Sequence, residues 1–324
     1  MSKLKVVITD HGFADVTQEQ RILAEVGCTL TVAQATTPED VIHVAAEADG
    51  LLVQWAPVDS RVIRSLSHCK IIVRYGIGVD NVDLAAAKQA GIPVCNVPDY
   101  GIEEVADHAL ALALALARQL PQIDRRLRSG VWKLTPATPM PALNQMTFAT
   151  AGFGRIARAV LERARSFGFK LVASDPFVPE EKFAKAGVER SLKEELFTRA
   201  DILSLHLPLT PETRHFVNAA QLARMKPHAI LINTARGPLV DTIALAEALQ
   251  ERRIAAAGID VFETEPLPMD QPLRRCDNAL LTSHVAWFSE SSLPRLQRLA
   301  AEELVRGLRG EPLRNQVNLL PATK

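Results

Sequence analysis

Short apolar and β-branched runs alternate with helical patterns along almost the whole chain. In the first third the strand-like runs are Leu4–Thr9, Thr29–Ala33, Gly50–Val53, Ile71–Arg74 and Val94–Asn96, each followed by turn residues or a helix. Near-continuous apolar runs of this kind mark strands covered on both faces, the condition of a parallel sheet. Their alternation with helices is the pattern of βαβ units. Asp83 reads as the N-cap of a helix reaching about Ala90, closed by Gly91. The rhythm then breaks. Glu103–Arg118 is one long helix, apolar nearly all round, expected to lie buried between two layers. Leu120–Gln145 follows, with several arginines, four prolines, one tryptophan and no strand pattern. It reads as a long irregular segment, the kind that serves as a functional or interaction arm. Its arginines fit a solvated or subunit-contacting face better than a nucleic-acid patch. The alternation resumes with Thr147–Ala151, Lys170–Ser174, Ile202–Leu205, Ala229–Asn233, Ala256–Ile259 and Ala279–Thr282, and the chain ends in a helix over Leu293–Leu308. The pattern predicts an α/β protein with two doubly wound parallel sheets.

Composition narrows this. The length of 324 residues suits two domains at roughly 100–200 residues each. Lys+Arg and Asp+Glu number 37 each, which excludes a strongly basic protein held on nucleic acid by counterion release. With 48% hydrophobic residues the chain is not disordered. Cys28, Cys69, Cys95 and Cys276 lie far apart with no CxxC, which argues for free thiols in a reducing compartment and against a metal site. Met1–Asp10 lacks the apolar core of a signal peptide. The longest apolar run, Ala109–Ala117, is far short of the about 20 residues that span a membrane. A cytoplasmic protein with no membrane partner is expected.

Candidate chemistry starts at Gly152-Phe153-Gly154-Arg155-Ile156-Ala157, a GxGxxA directly after a strand and at the opening of a helix. Gly152 permits the tight turn, and Gly154 lets backbone approach a pyrophosphate whose charge meets the helix N-terminus at Arg155 and Ile156. Ala157 keeps helix and strand close. Asp175, 18 residues beyond Ala157 at the end of the next strand, could accept from a ribose hydroxyl and would repel a 2′-phosphate, favouring NAD over NADP. A lone motif of this kind can be a glycine-rich turn without function; the strand, helix and acid around it favour dinucleotide binding. The preceding strand, Thr147–Ala151, is more polar than a central parallel strand usually is.

Three charged or titratable residues stand just past later strands: Arg236, Glu265 and His284. In doubly wound sheets ligands bind outside the carboxyl ends of the strands, so such residues can converge there. They are also the set that reduction of a 2-oxo acid requires. Arg236 would pair with the carboxylate and polarise the carbonyl. His284, charged, would donate the proton, and Glu265 would hold the imidazolium. Taken singly, a histidine after a strand is more often a satisfied loop or core residue, and a glutamate before proline a solvated one.

These segments resemble the D-isomer-specific 2-hydroxyacid dehydrogenases over nearly the whole chain. The match runs through the nucleotide fingerprint to Asp175-Pro176, Leu205–Thr213, Ile232–Asp241, Asp260–Pro266 and His284. The resemblance implies a Rossmann nucleotide domain, residues 100–289, inserted into a flavodoxin-like substrate domain formed by residues 1–99 and 290–324, the two closing over substrate. It implies that Arg236, Glu265 and His284 take the roles given above. It further implies that Asp260 and the backbone at Thr234, Ala235 and Arg236 hold the nicotinamide carboxamide, and that His206, Pro208 and Thr213 lie on the adenosine side. The arm after the first connecting helix would wrap a second copy in a homodimer. Two places are similar to the C-terminal binding protein branch, alongside the phosphoglycerate dehydrogenase-like branch. The first is Arg74 ahead of Gly76, Ile77 and Gly78, whose N–H groups would receive the substrate carboxylate. The second is Trp287, which would face the substrate. Arg74 reads equally as an ion-pair residue and Trp287 as core packing. Gln145, Ala149 and Ala157 replace residues that are commonly glycine in the family, which bears on NAD affinity. The expected function is hydride transfer between NAD(H) and a small 2-hydroxy or 2-oxo acid. The alternative is an NAD(H)-sensing dimeric scaffold with vestigial catalysis.

Overall fold

The computed structural model describes residues 3–133 and 139–319; residues 134–138 of the expected arm lie outside that range. The chain divides into two compact units, Met1–Gly101 with Ser289–Lys324, and Ile102–Phe288.

The first unit holds β1 (Lys5–Ile8), β2 (Thr29–Val32), β3 (Gly50–Val53), β4 (Ile71–Arg74) and β5 (Val94–Cys95). All are parallel, in the order β2-β1-β3-β4-β5. Every residue of β3 is buried, as its unbroken apolar run requires. The order reverses between β1 and β3, as in flavodoxin-like sheets. Helix starts follow their caps. Thr37 and Asp40 form a capping box before Pro38–Ala45, and the Asp83 carboxylate accepts from Ala86 N–H to open Leu84–Gln89. The far end of the chain returns to this unit. Ser292–Arg309 lays Leu296, Ala300 and Leu304 over β3 and β4. A Cβ on Gly307 would lie 2.3 Å from Ile71 Cδ1, so only glycine allows the helix that close. The Asn318 amide then pins the tail to β5: it accepts from Val94 N–H at 2.6 Å and donates to Ile92 O at 2.9 Å.

The second unit holds β6 (Thr147–Ala151), β7 (Lys170–Ser174), β8 (Glu189–Arg190), β9 (Ile202–Leu205), β10 (Ile230–Asn233), β11 (Ala256–Ile259) and β12 (Ala279–Leu281). The order is β12-β11-β10-β9-β6-β7-β8, again all parallel. That is the Rossmann order, extended by one strand, with its reversal between β6 and β9. The sequence pattern missed β8 because its two residues are exposed and polar. The polar strand β6 is accommodated: Thr150 is fully buried and its hydroxyl donates to Gly152 O at 2.8 Å.

Two helix expectations are corrected. Ile102–Ala117 buries one face, not its whole circumference; Glu103, Asp107 and Ala111 are exposed. Alanine favours helix wherever it sits, so its periodicity overstates burial. Leu112 and Leu116 bring the helix onto β11 at Gly258, where a Cβ would meet Leu112 Cβ at 3.0 Å. The irregular arm begins as a helix, Leu120–Arg128. Pro121 sits in its first turn, where its missing N–H costs nothing, and Arg125, Arg126 and Arg128 face the negative end of the helix dipole. No helix among the described residues is long and apolar enough to cross a membrane.

Candidate active site

The reversal point of the second sheet is shaped by glycine. Gly152 adopts φ 97°, and a Cβ there would lie 2.5 Å from His206 O. Its N–H donates to Ser174 O, and Asp175 closes the turn: one carboxylate oxygen accepts from Phe153 N–H and the other from Phe177 N–H, each at 3.0 Å. Gly154 is the N-cap of Arg155–Arg165, with no side chain capping the helix. A Cβ on Gly154 would meet no protein atom within 4 Å. Uncapped N–H groups at the positive end of an 11-residue helix, with open space before them, fit a pyrophosphate. Arg155 is exposed in the first turn beside half-buried Ile156, while Ala157 is fully buried where a larger side chain would push helix from sheet.

On the β9 side, His206 N–H donates to Ala151 O and its Nε2 lies 2.9 Å from Ser204 Oγ. Desolvation pushes this imidazole down to about 3, so it is neutral at any working pH. The Thr213 hydroxyl accepts from Thr210 N–H and donates to Pro208 O, both at 2.7 Å, and therefore shapes its own turn.

After β10, Asn233 acts as a peg that the sequence reading missed. Its amide donates to Arg236 O at 2.8 Å and accepts from Ala235 N–H at 3.1 Å, fixing the backbone of Thr234, Ala235 and Arg236. The Thr234 hydroxyl is buried with no hydrogen-bond partner among the described residues, the state expected of a group that a bound ligand completes. Thr234 thus suits a polar edge such as a carboxamide.

Gly237 brings the charged trio together. A Cβ there would lie 1.9 Å from the Phe262 carbonyl carbon and 2.5 Å from Glu263 N. Only glycine lets the loop after β10 touch the loop after β11. Glu265 then accepts from Phe262 N–H at 2.9 Å with one oxygen and pairs with His284 Nδ1 at 2.7 Å with the other. Burial works against the Glu265 charge. The His284 hydrogen bond and charge, the Phe262 N–H and nearby Arg236 outweigh it and hold the carboxyl below its ordinary range. Arg236 also donates to Ala235 O at 2.7 Å. On the far side, Glu263 braces the same loop by bonding His215 Nε2 at 2.7 Å and Thr242 N–H at 3.0 Å.

His284 has φ 56°, a conformation uncommon outside glycine. Asp260 holds it there. The Asp260 backbone carbonyl accepts from His284 N–H at 2.7 Å. Its fully buried carboxylate accepts from Thr282 Oγ1 at 2.5 Å and from Val285 and Ala286 N–H, each at 3.0 Å. Asp260, expected at the nicotinamide carboxamide, also anchors the histidine loop. Trp287 has its polar atom committed to the same loop, the indole N–H donating to His284 O at 2.9 Å.

The remaining candidates belong to the first unit. Gly76 has φ 131°, and a Cβ would lie 1.9 Å from Arg74 Nη1, so the guanidinium rests on this turn. The Gly76 and Ile77 carbonyls accept from Val97 N–H and the Asn96 amide. Gly78 follows in the same turn. Among the described residues no group of three or more His, Cys, Asp or Glu could hold a metal.

The family described as D-isomer specific 2-hydroxyacid dehydrogenase, NAD binding domain, matches residues 110–286. The chain is 39% identical over 318 residues to a D-3-phosphoglycerate dehydrogenase of Methanocaldococcus jannaschii, covering 98% of this chain but 60% of that protein. It is 41% identical over 283 residues to a glyoxylate reductase of Korarchaeum cryptofilum, covering 86% and 85%. A solved D-lactate dehydrogenase from Aquifex aeolicus, complexed with NAD and lactic acid, superposes with a TM-score of 0.87 at 29% identity, over 94% of this chain and 96% of that one. The chain thus spans less than two thirds of the first of these relatives, and nearly the whole of the last. With the NAD-binding domain of that oxidoreductase family in its second unit, the chain belongs to the D-isomer-specific 2-hydroxyacid dehydrogenases.

Proposed function

We propose that the protein is an NAD-dependent dehydrogenase exchanging a hydride between NAD(H) and C2 of a D-2-hydroxy acid and its 2-oxo acid. The observation that carries this reading is the contact of His284 Nδ1 with Glu265, with Arg236 near enough to stabilise the Glu265 charge. With Nδ1 held by an ionised carboxylate, the exchanging proton sits on His284 Nε2. Arg236 offers a planar pair of donors for the acid's carboxylate and polarises the adjacent carbonyl. The bound nicotinamide supplies or accepts the hydride. Gly152, Gly154, Arg155, Ile156, Asp175, His206, Pro208 and Thr213 are assigned to the dinucleotide's phosphates and adenosine. Thr234, Ala235 and Asp260 are assigned to its carboxamide end. Arg74, Gly76, Ile77, Gly78 and Trp287 remain assigned to substrate.

The domain roles follow as part of the same proposal: nucleotide binding for residues 100–289, substrate binding for 1–99 with 290–324. A homodimer is proposed because Leu120, Ile123, Leu127, Val131 and Trp132, close together in the chain, are all exposed, and Ile123 lines a groove of about 640 Å³ with Leu116, Met146 and Ile230. Clustered exposed apolar side chains mark contact surfaces. A cytoplasmic setting is retained from the free cysteines.

The test is NADH oxidation with glyoxylate, hydroxypyruvate, and branched and aromatic 2-oxo acids. His284→Ala should lower kcat by about 10²–10⁴-fold while NADH still binds; unchanged turnover would remove His284 as proton donor. Negligible wild-type turnover across the panel, with NADH-dependent dimerisation in sedimentation, would select the scaffold reading instead.

A further inference from the structure

His108 is part-buried on the largely apolar Ile102–Ala117 helix, outside the trio and outside the nucleotide loop. Its Nε2 lies 3.0 Å from Thr282 Oγ1 and 3.7 Å from Asp260 Oδ1. The direction of these bonds is fixed by proton count. The Thr282 hydroxyl has a single proton, which goes to the buried Asp260 carboxylate at 2.5 Å. Toward His108 that hydroxyl can therefore only accept, so His108 carries a proton on Nε2 and donates it. The result is a one-way chain: His108 Nε2–H to Thr282 Oγ1–H to Asp260.

Asp260 is the residue on which the His284 loop hangs, through Thr282 before the histidine and Val285 and Ala286 after it. His284 itself sits at φ 56°, a conformation that persists only where its surroundings impose it. A buried carboxylate is a reliable anchor only when its polar partners are complete. His108 completes the Thr282 end of that set. We propose that His108 is a positioning residue for proton exchange at His284, acting through Thr282 and Asp260; the inference rests on the dehydrogenase reading above. Remove the His108 donor and the Thr282 hydroxyl is free to turn. The loop then relaxes toward ordinary φ, and the imidazole drifts from Glu265.

The experiment uses the full chain and three variants, His108→Leu, His108→Gln and Thr282→Val, with the His108→Leu/Thr282→Val double variant. A misplacement of about 1 Å at a reacting group costs on the order of 100-fold. His108→Leu is therefore expected to lower kcat by about 10- to 100-fold, with KM for the 2-oxo acid unmoved. His108→Gln, whose amide nitrogen reaches the Nε2 position, recovers most of that loss. The double variant is no worse than the poorer single one, because both break the same chain. A second readout is independent of turnover: the ring resonance of His284, identified by its loss in His284→Gln, shifts in His108→Leu and in Thr282→Val and returns in His108→Gln. If the wild-type chain reduces no 2-oxo acid, the dehydrogenase reading fails, and the resonance alone still decides the positioning role. Unchanged kcat, additive losses in the double variant, or a His284 resonance identical in His108→Leu and wild type each overturn the proposal.

Discussion

The two sheets are built alike, yet their carboxyl edges treat polar groups in opposite ways. Beside β1 and β3 of the first sheet the acceptors are filled from within the unit. Asp10 accepts from Thr9 Oγ1, Gln54 N–H and Trp55 N–H, and buried Glu19 accepts from the Tyr75 hydroxyl and the Gln297 amide. At the edge of the second sheet Gly154 faces open space, the Thr234 hydroxyl is buried with no partner among the described residues, and His284 is held in a left-handed conformation. Identical architecture therefore carries different work. The satisfied groups beside β1 and β3 hold the fold together, whereas the turns assigned to ligands, the Arg74–Gly78 turn after β4 included, carry backbone that neighbours must stabilise.

The sharpest way to break this contrast is at Gly237. Alanine there would place a carbon 1.9 Å from the Phe262 backbone and force the loops after β10 and β11 apart. Because backbone on both sides has nowhere to go, Gly237→Ala should cost about 1–3 kcal/mol in thermal or urea unfolding. Separating Arg236 from Glu265 should also cut turnover on the order of 100-fold. A variant that folds with normal turnover would mean that the close approach does not assemble the trio.

Next in size, the two fingerprint glycines should separate stability from ligand binding. Gly152→Ala meets both a positive φ and His206 O at 2.5 Å, so its Tm should fall and NADH binding with it. Gly154→Ala meets no protein atom, so its Tm should stay at the wild-type value while NADH affinity, read by fluorescence titration, falls at least tenfold. Equal Tm losses in both variants would show that Gly154 serves the fold rather than the ligand.

Much of this was legible in the sequence, and the failures have causes. Parallel strands buried on both faces must be apolar, so β3, β4, β7, β9 and β11 stand out with their limits intact. The exposed two-residue β8 carries no such signal. Arg236, Glu265 and His284 are visible as charged residues just past strand ends, but nothing linear says that they meet. Their meeting depends on Gly237 against Phe262, a contact across 25 positions. Asn233 and Asp260 were harder still. Each looks like a strand-end polar residue, and its role lies in which backbone groups it bonds. His108 was masked by the apolar helix around it; the one signal it offered was a polar side chain where a leucine would pack.

At the first edge the contrast is sharpened by Asp10. Asp10→Ala strands one buried and one part-buried backbone N–H and a buried hydroxyl, at a cost of about 1–3 kcal/mol. NADH affinity, belonging to the other sheet, should not move. If Asp10→Ala weakens NADH binding in proportion to its stability loss, the division of labour between the two edges is wrong.

The smallest effect is expected where the second edge comes nearest to behaving like the first, at Glu265. Its carboxyl is opposed by burial, but the His284 contact, Phe262 N–H and Arg236 hold it below the ordinary range. A carboxylate lowered in the folded state contributes stability that is fully present above its unfolded value, about 4.3, and is lost as pH falls through the lower folded value. Glu265→Gln should therefore lower Tm modestly at pH 7, and the difference from wild type should shrink steadily below about pH 4. The two curves should meet in acid. A gap that stays constant from pH 7 to pH 3 would mean that Glu265 supports its loop by shape alone, leaving its charge for His284.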